Sequence, residues 1–318
     1  MATAHDESFG GVSPGEPATA GSYGLPPGGF RLPEATRLGP VRLQVGDLER
    51  SLAFYGEVLG LELLERAPGS AVLGTASPAR RPLVELRERR GARPSPGRGR
   101  TGLFHFALLL SDRPALARFV RHLETIGVRA GAGDHLVSEA FYLQDPDNLG
   151  IEIYADRPRS AWRRVGRELR MTTDPVDVAG LVADAGEELW QGMPADSVMG
   201  HVHLHVGDLD AASAFYSEAL GFDRTVWGYP GALFLAAGGY HHHLGTNLWA
   251  GRGAATPSGD EAQLLEWTID LPGLPALAAA VASLESAGSA VTHSTPTDGE
   301  AAAVVLDPWG TPVRLRAV

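Results

Sequence analysis

Apolar and polar positions change period several times along the chain. Val41-Arg42-Leu43-Gln44-Val45 alternates with the period of two expected of a half-buried strand, and Gly46-Asp47-Leu48 follows. Leu52, Phe54, Tyr55, Val58 and Leu59 then recur at helical spacing until Gly60 closes the helix. Ala71-Val72-Leu73 and Pro82-Leu83-Val84-Glu85-Leu86 return to strand character. The order is strand, helix, strands. It recurs: Val206-Gly207-Asp208-Leu209 echoes Val45-Gly46-Asp47-Leu48, and Ala214 to Gly221 echoes Ala53 to Gly60. His105 to Leu110 followed by Pro114-Ala115-Leu116-Ala117 is answered by Glu266 to Leu271 followed by Pro275-Ala276-Leu277-Ala278. Asp145-Pro146-Asp147 likewise has its echo in Asp307-Pro308-Trp309. Repetition on this scale predicts an α+β fold of four βαβββ units at about 38–92, 101–156, 198–252 and 262–317.

These units group into two domains, 36–157 and 198–318, each of two units. Residues 1–35 carry Gly, Pro, Ser and Ala with almost no periodic apolar pattern, and a mobile tail is expected there, with no role for His5. Residues 158–197, Arg-rich and then acidic, read as a mostly helical or irregular connector. A length of 318 residues suits this two-domain division.

Composition narrows the function. A net charge of -11 argues against a nucleic-acid partner. No apolar run approaches the roughly 18 residues of a membrane span, and the N-terminus lacks the order of a signal peptide, so a cytoplasmic location is expected with no membrane partner. There is no cysteine, so a bound metal would take histidine and carboxylate ligands. Gly133 to Glu152 reads as a strand, a turn at Asp145-Pro146-Asp147-Asn148 and a second strand. Glu152 stands out there, between two isoleucines on a strand running into Tyr154; its carboxylate faces either water or a partner that needs its charge.

Several stretches together resemble the vicinal oxygen chelate superfamily, which includes glyoxalase I and the extradiol ring-cleaving dioxygenases. They are Leu103 to Leu108, Gly133 to Glu152, Tyr154 to Arg159, Gly200 to Val206 and Gly238 to His243. The likeness is strongest to bacterial catechol 2,3-dioxygenase proteins with two glyoxalase-like domains, and it implies cupped mixed sheets. Gly133 to Glu152 is similar to the extradiol signature of a His, a Tyr, a turn and a metal-binding Glu. Asn148 stands where the family has Gly or Pro, and Asn tolerates a left-handed turn.

In that superfamily each unit offers ligands early in its first strand and on its last strand. Aligning the repeats puts Pro40, His105, His201 and Glu266 at the first position and Glu85, Glu152, His243 and Arg314 at the second. Units one and four then offer no imidazole at these positions and look dead as a metal site. Units two and three offer His105, Glu152 and His201, the two-histidine, one-carboxylate set of a non-haem Fe(II) oxygenase, provided those two units face each other. Mn(II) is compatible with the same ligands. Ordinary structural readings stand beside these: a satisfied core histidine for His105, and a solvent-facing stripe for His201, His203 and His205.

The resemblance implies Fe(II) binding both oxygens of a small aromatic diol and then O2. It also calls for an acid/base group, for which His243 is the first choice and His241 the alternative. Tyr142 matches the family's active-site tyrosine; His135 matches the signature histidine, which in the family lies near the site without being a ligand, and is a candidate to orient Tyr142 or the substrate; His203 is a further supporting candidate. Trp249 and Asn247 are candidates for the pocket lining. Two other functions stay open on the same fold: a metal-dependent isomerase or lyase of the glyoxalase I kind, and a metal-free small-molecule-binding protein. A symmetric homo-oligomer is the ordinary expectation for its assembly.

Overall fold

The computed structural model describes residues 15–294 and 301–318. Two eight-stranded mixed sheets hold the four units. In the first, unit two meets unit three edge to edge, with Gly102–Leu110 antiparallel to Val198–His205. From that seam unit two continues through Gly150–Asp156, Ser138–Gln144 and Gly131–Asp134. Unit three continues through Leu244–Asn247, Ala232–Ala236 and Asp223–Val226. The second sheet repeats the plan with units one and four about the antiparallel pair Arg37–Val45 and Gln263–Leu271. Each sheet therefore takes one unit from either side of the connector, which is the pairing that a triad drawn from units two and three requires.

The repeats share their local chemistry. The helices Leu48–Glu57, Arg113–Thr125 and Leu209–Ala212 are each preceded by an aspartate whose side chain accepts a backbone N–H of the first turn. Such a cap contributes about 1 kcal/mol. The turns between the last strands are also alike. Asp145 Oδ1 accepts from the N–H groups of Asp147 and Leu149, both at 2.9 Å, and Asp307 Oδ1 does the same for Trp309 and Thr311 at 2.9 and 2.7 Å. Tyr55, on the helix of unit one, donates to Asp145 of unit two, and Tyr216 of unit three donates to Asp307 of unit four. These bonds tie one sheet to the other, and a continuous apolar core containing Leu43, Val84, Phe106, Ile153, Leu204 and Trp267 fills the rest. Asn148 takes φ +62°, the left-handed conformation anticipated at that turn. Among the described residues, no helix is long and apolar enough to cross a membrane.

The expectation of a mobile tail is corrected from residue 15 onward. Glu16–Pro17 pairs with Arg163 and Arg164 of the connector, and Leu25 bridges to Arg224. Arg31 grips Asp223 with two bonds of 2.7 and 2.6 Å, and the Tyr23 hydroxyl donates to the Gly239 carbonyl at 2.6 Å. This order comes from bonds to distant parts of the chain, which leave no local periodicity. Residues 1–14, including His5, lie outside the described residues. The connector contributes a 3-10 turn at Arg159–Ala161, the short strands Arg163–Val165 and Glu168–Leu169 and a short α-helix, Val178–Ala183.

Candidate metal centre

At the seam of the first sheet Phe106 lies opposite Val202, with His105 opposite His203 and Ala107 opposite His201. The register slips around Gly200, where an added Cβ would sit 1.9 Å from the Tyr154 hydroxyl, so only glycine lets the tyrosine tuck beneath the strand. Glu152 lies beside Ala107 on the neighbouring parallel strand. His105, Glu152 and His201 are all buried, at 5%, 2% and 2% exposure, and their ligand atoms converge. Glu152 Oε2 is 2.9 Å from His105 Nε2 and 3.2 Å from His201 Nε2, and the two imidazole nitrogens are 3.3 Å apart.

This set fits a divalent cation. Donors bound at ~2 Å to one ion and at right angles to each other would lie ~3 Å apart. Two buried imidazole nitrogens pointing at one carboxylate oxygen and at each other have no neutral hydrogen-bond pattern that serves all three. Protonation agrees. Burial alone would raise Glu152, but His201 and His105 overcome it and hold the carboxyl well below its ordinary range. Burial pushes His201 down to about 4. Both groups are then deprotonated at neutral pH, as ligands must be.

The register corrects one assignment. Ile151 pairs with Phe106 and Leu244 with Val202, so the counterpart of Glu152 in unit three is Gly245 and not His243. The strand begins at Leu244, so His241-His242-His243 lies in the turn before it, where alternation of faces does not apply. His243 faces a separate cavity with Arg37, Arg159 and Tyr240, and its Nδ1 accepts from the Ala237 N–H at 3.1 Å. Burial pushes it down to about 3. Neither His243 nor His241 lines the triad's cavity. His242, passed over in the sequence, does line it, with its ring 4.1 Å from that of His201.

That cavity has a volume of about 220 Å³. Phe104, Phe234 and Trp249 give it aromatic walls, while Met171, Thr172 and Thr173 of the connector and Tyr229 complete the lining. Of the other expected residues, Tyr142, His135 and His203 face it, and Asn247 stands behind His203. Backbone partners decide their proton positions. The Thr172 carbonyl accepts from His135 Nδ1–H at 2.7 Å, so His135 Nε2 is an acceptor and the Tyr142 hydroxyl donates to it. The Trp249 N–H donates to Asn247 Oδ1 at 2.9 Å, so Asn247 Nδ2 donates to His203 Nε2, also at 2.9 Å, and the His203 proton sits on Nδ1. Burial, with Glu152 beside it, raises Tyr142 well above its usual range and keeps it protonated; burial lowers His203 and His242. An added Cβ at Gly245 would meet the His203 ring at 2.8–2.9 Å, so this histidine occupies the space of the missing fourth side chain.

In the second sheet the equivalent positions carry Pro40, Glu85, Glu266 and Arg314. Arg42 lies between the two carboxylates, 2.8 Å from Glu85 and 3.1 Å from Glu266, and Arg314 adds a 2.7 Å contact to Glu266. Guanidinium charge takes the place of a metal.

Paired βαβββ units carrying a two-histidine, one-carboxylate metal site define a class of metalloprotein. The chain belongs to the Glyoxalase/Bleomycin resistance protein/Dioxygenase superfamily, whose family model matches residues 37–153 and 198–315. It is 48% identical over 247 residues to a catechol-2,3-dioxygenase of Bacillus subtilis (strain 168), covering 75% of this chain and 84% of that one. Among solved structures, a Bacillus subtilis protein provisionally described as a dioxygenase superposes with a TM-score of 0.62 at 16% identity, covering 91% of this chain and 86% of that one. Glyoxalase I from Zea mays superposes at 0.54 with 20% identity, covering 89% and 92%. At these identities the two structures speak to the fold.

Proposed function

We propose that this chain is an Fe(II)-dependent extradiol dioxygenase that opens catechol or a related dihydroxylated aromatic with O2. The observation that carries the reading is the three-donor site whose fourth family position is Gly245. A glycine offers neither a ligand nor the carboxylate base that glyoxalase-type proton transfer uses there, so the protein would supply three donors and leave the ion's remaining positions to two substrate oxygens and O2. The 48% identity to a catechol-2,3-dioxygenase supports the same chemistry, and the intact triad speaks against a metal-free binding protein.

His105, Glu152 and His201 would hold the ion; when bound, it supplies a path for electron density from the diol to oxygen. The cavity is below the roughly 300–1,000 Å³ of sites for drug-sized ligands and suits a single ring. Phe104, Phe234 and Trp249 pack against that ring and exclude water. His242 takes the acid/base role first assigned to His243, because it is the uncoordinated imidazole of the turn that reaches the cavity. Tyr142, its hydroxyl proton committed to His135, presents an oxygen that accepts from a substrate hydroxyl. His203 Nδ1–H is a fixed donor, and Asn247 holds it so.

Anaerobic loading of the metal-free protein with Fe(II), then catechol, then air, tests the reading. O2 uptake with a yellow ring-opened product is expected. Metal binding without O2 uptake across catechols and hydroquinones would turn the assignment to an isomerase or lyase.

A further inference from the structure

Behind the cavity wall a chain of buried and half-buried polar groups leads from Asp156 to His242. Asp156 Oδ1 is 2.8 Å from His241 Nε2, and His241 Nδ1 is 2.7 Å from His242 Nδ1. The Tyr240 hydroxyl also reaches Asp156 Oδ1, at 3.2 Å, and is itself 2.7 Å from the Tyr154 hydroxyl. His241 is fully buried, so water does not compete for these nitrogens.

The direction of each bond follows from the one group that can only accept. The Asp156 carboxylate accepts a hydrogen bond from His241 Nε2–H, and a neutral imidazole has a single N–H, so His241 Nδ1 carries a lone pair. At 2.7 Å a second lone pair would repel it, so His242 Nδ1 must supply the proton. The nitrogen left to His242 is Nε2, now unprotonated, on a ring that lines the metal cavity. We propose that Asp156 is a positioning residue that sets the tautomer of His242 through His241, so that the cavity is offered the Nε2 lone pair needed to take a proton from the substrate hydroxyl. This deepens the dioxygenase reading and rests on His242 as its base. The same carboxylate orients Tyr240 and Tyr154, whose hydroxyls donate toward it in turn.

Long-range proton–nitrogen correlation spectra of the ¹⁵N-labelled, metal-free full chain report imidazole tautomers directly, with His242 assigned by its loss in His242→Gln. Wild-type His242 is expected to be protonated on Nδ1 alone, and Asp156→Ala to give a mixture of tautomers. A wild-type His242 protonated on Nε2, or an Asp156→Ala spectrum with the tautomer unchanged, would overturn the proposal; the wild-type spectrum decides even if the variant does not fold. With Fe(II) and catechol, Asp156→Ala should lower kcat about 10–100-fold with KM nearly unchanged; a raised KM at unchanged kcat would count against it. Should the iron-loaded wild type leave catechol untouched, the dioxygenase reading falls, while the spectra still decide the role of Asp156.

Discussion

Glu152 is the residue on which the metal site turns, because it is the one anion among buried imidazoles. Glu152→Gln keeps the shape and removes the charge, leaving two neutral donors against a dication. We expect metal content below about a tenth of wild type and no measurable turnover, checked by elemental analysis of the dialysed protein. Gly245→Ala probes the opposite side. Its Cβ would press on the His203 ring, and overpacking of this kind costs about 1–3 kcal/mol. Urea denaturation should register that loss together with a fall in kcat, while metal content stays near wild type. The triad itself was legible because two histidines fell at equivalent first-strand positions and a glutamate at the last-strand position of one of the same units. His242 was not, because the repeat alignment placed His243 at the ligand position, whereas the strand begins only at Leu244 and the three histidines lie in the turn before it.

At the scale of elements, the helices and turns were readable from local chemistry, as the repeated aspartate caps and Asp-Pro turns show. The ordered segment 15–35 was not, since Arg31–Asp223 and Tyr23–Gly239 join residues about two hundred positions apart. The turn residue Asp145 makes a pH prediction. Burial raises its carboxyl from 3.8 to about 6, so the folded state binds this proton more tightly than the unfolded chain. Stability from that difference is complete below about pH 4 and is lost as pH rises through about 6, amounting to about 3 kcal/mol. Asp145→Asn keeps an acceptor for the two backbone N–H groups and a partner for Tyr55, and carries no charge. Its stability relative to wild type should therefore rise between about pH 4 and pH 8 in urea titrations; a gap that narrows over this range would refute the argument.

The whole molecule sets two sheets of the same plan side by side, one carrying a metal triad and the other a guanidinium–carboxylate cluster. The sequence revealed this asymmetry through which ligand positions survive, but not that Arg42, outside those positions, bridges Glu85 and Glu266. Arg42→Ala leaves two carboxylates partly uncompensated, and since all three side chains keep some solvent contact the cost should be modest, roughly 1–2 kcal/mol. Turnover should be unaffected.

One sheet, formed by units two and three, carries the metal site, and among the described residues the other does not. The most direct test is the Fe(II) stoichiometry of anaerobically loaded wild type, His105→Ala, His201→Ala and Glu85→Gln proteins. Wild type and Glu85→Gln should each hold one ion per chain, and the two histidine variants none. Two ions per chain, or an ion kept after loss of His105 or His201, would contradict this assignment.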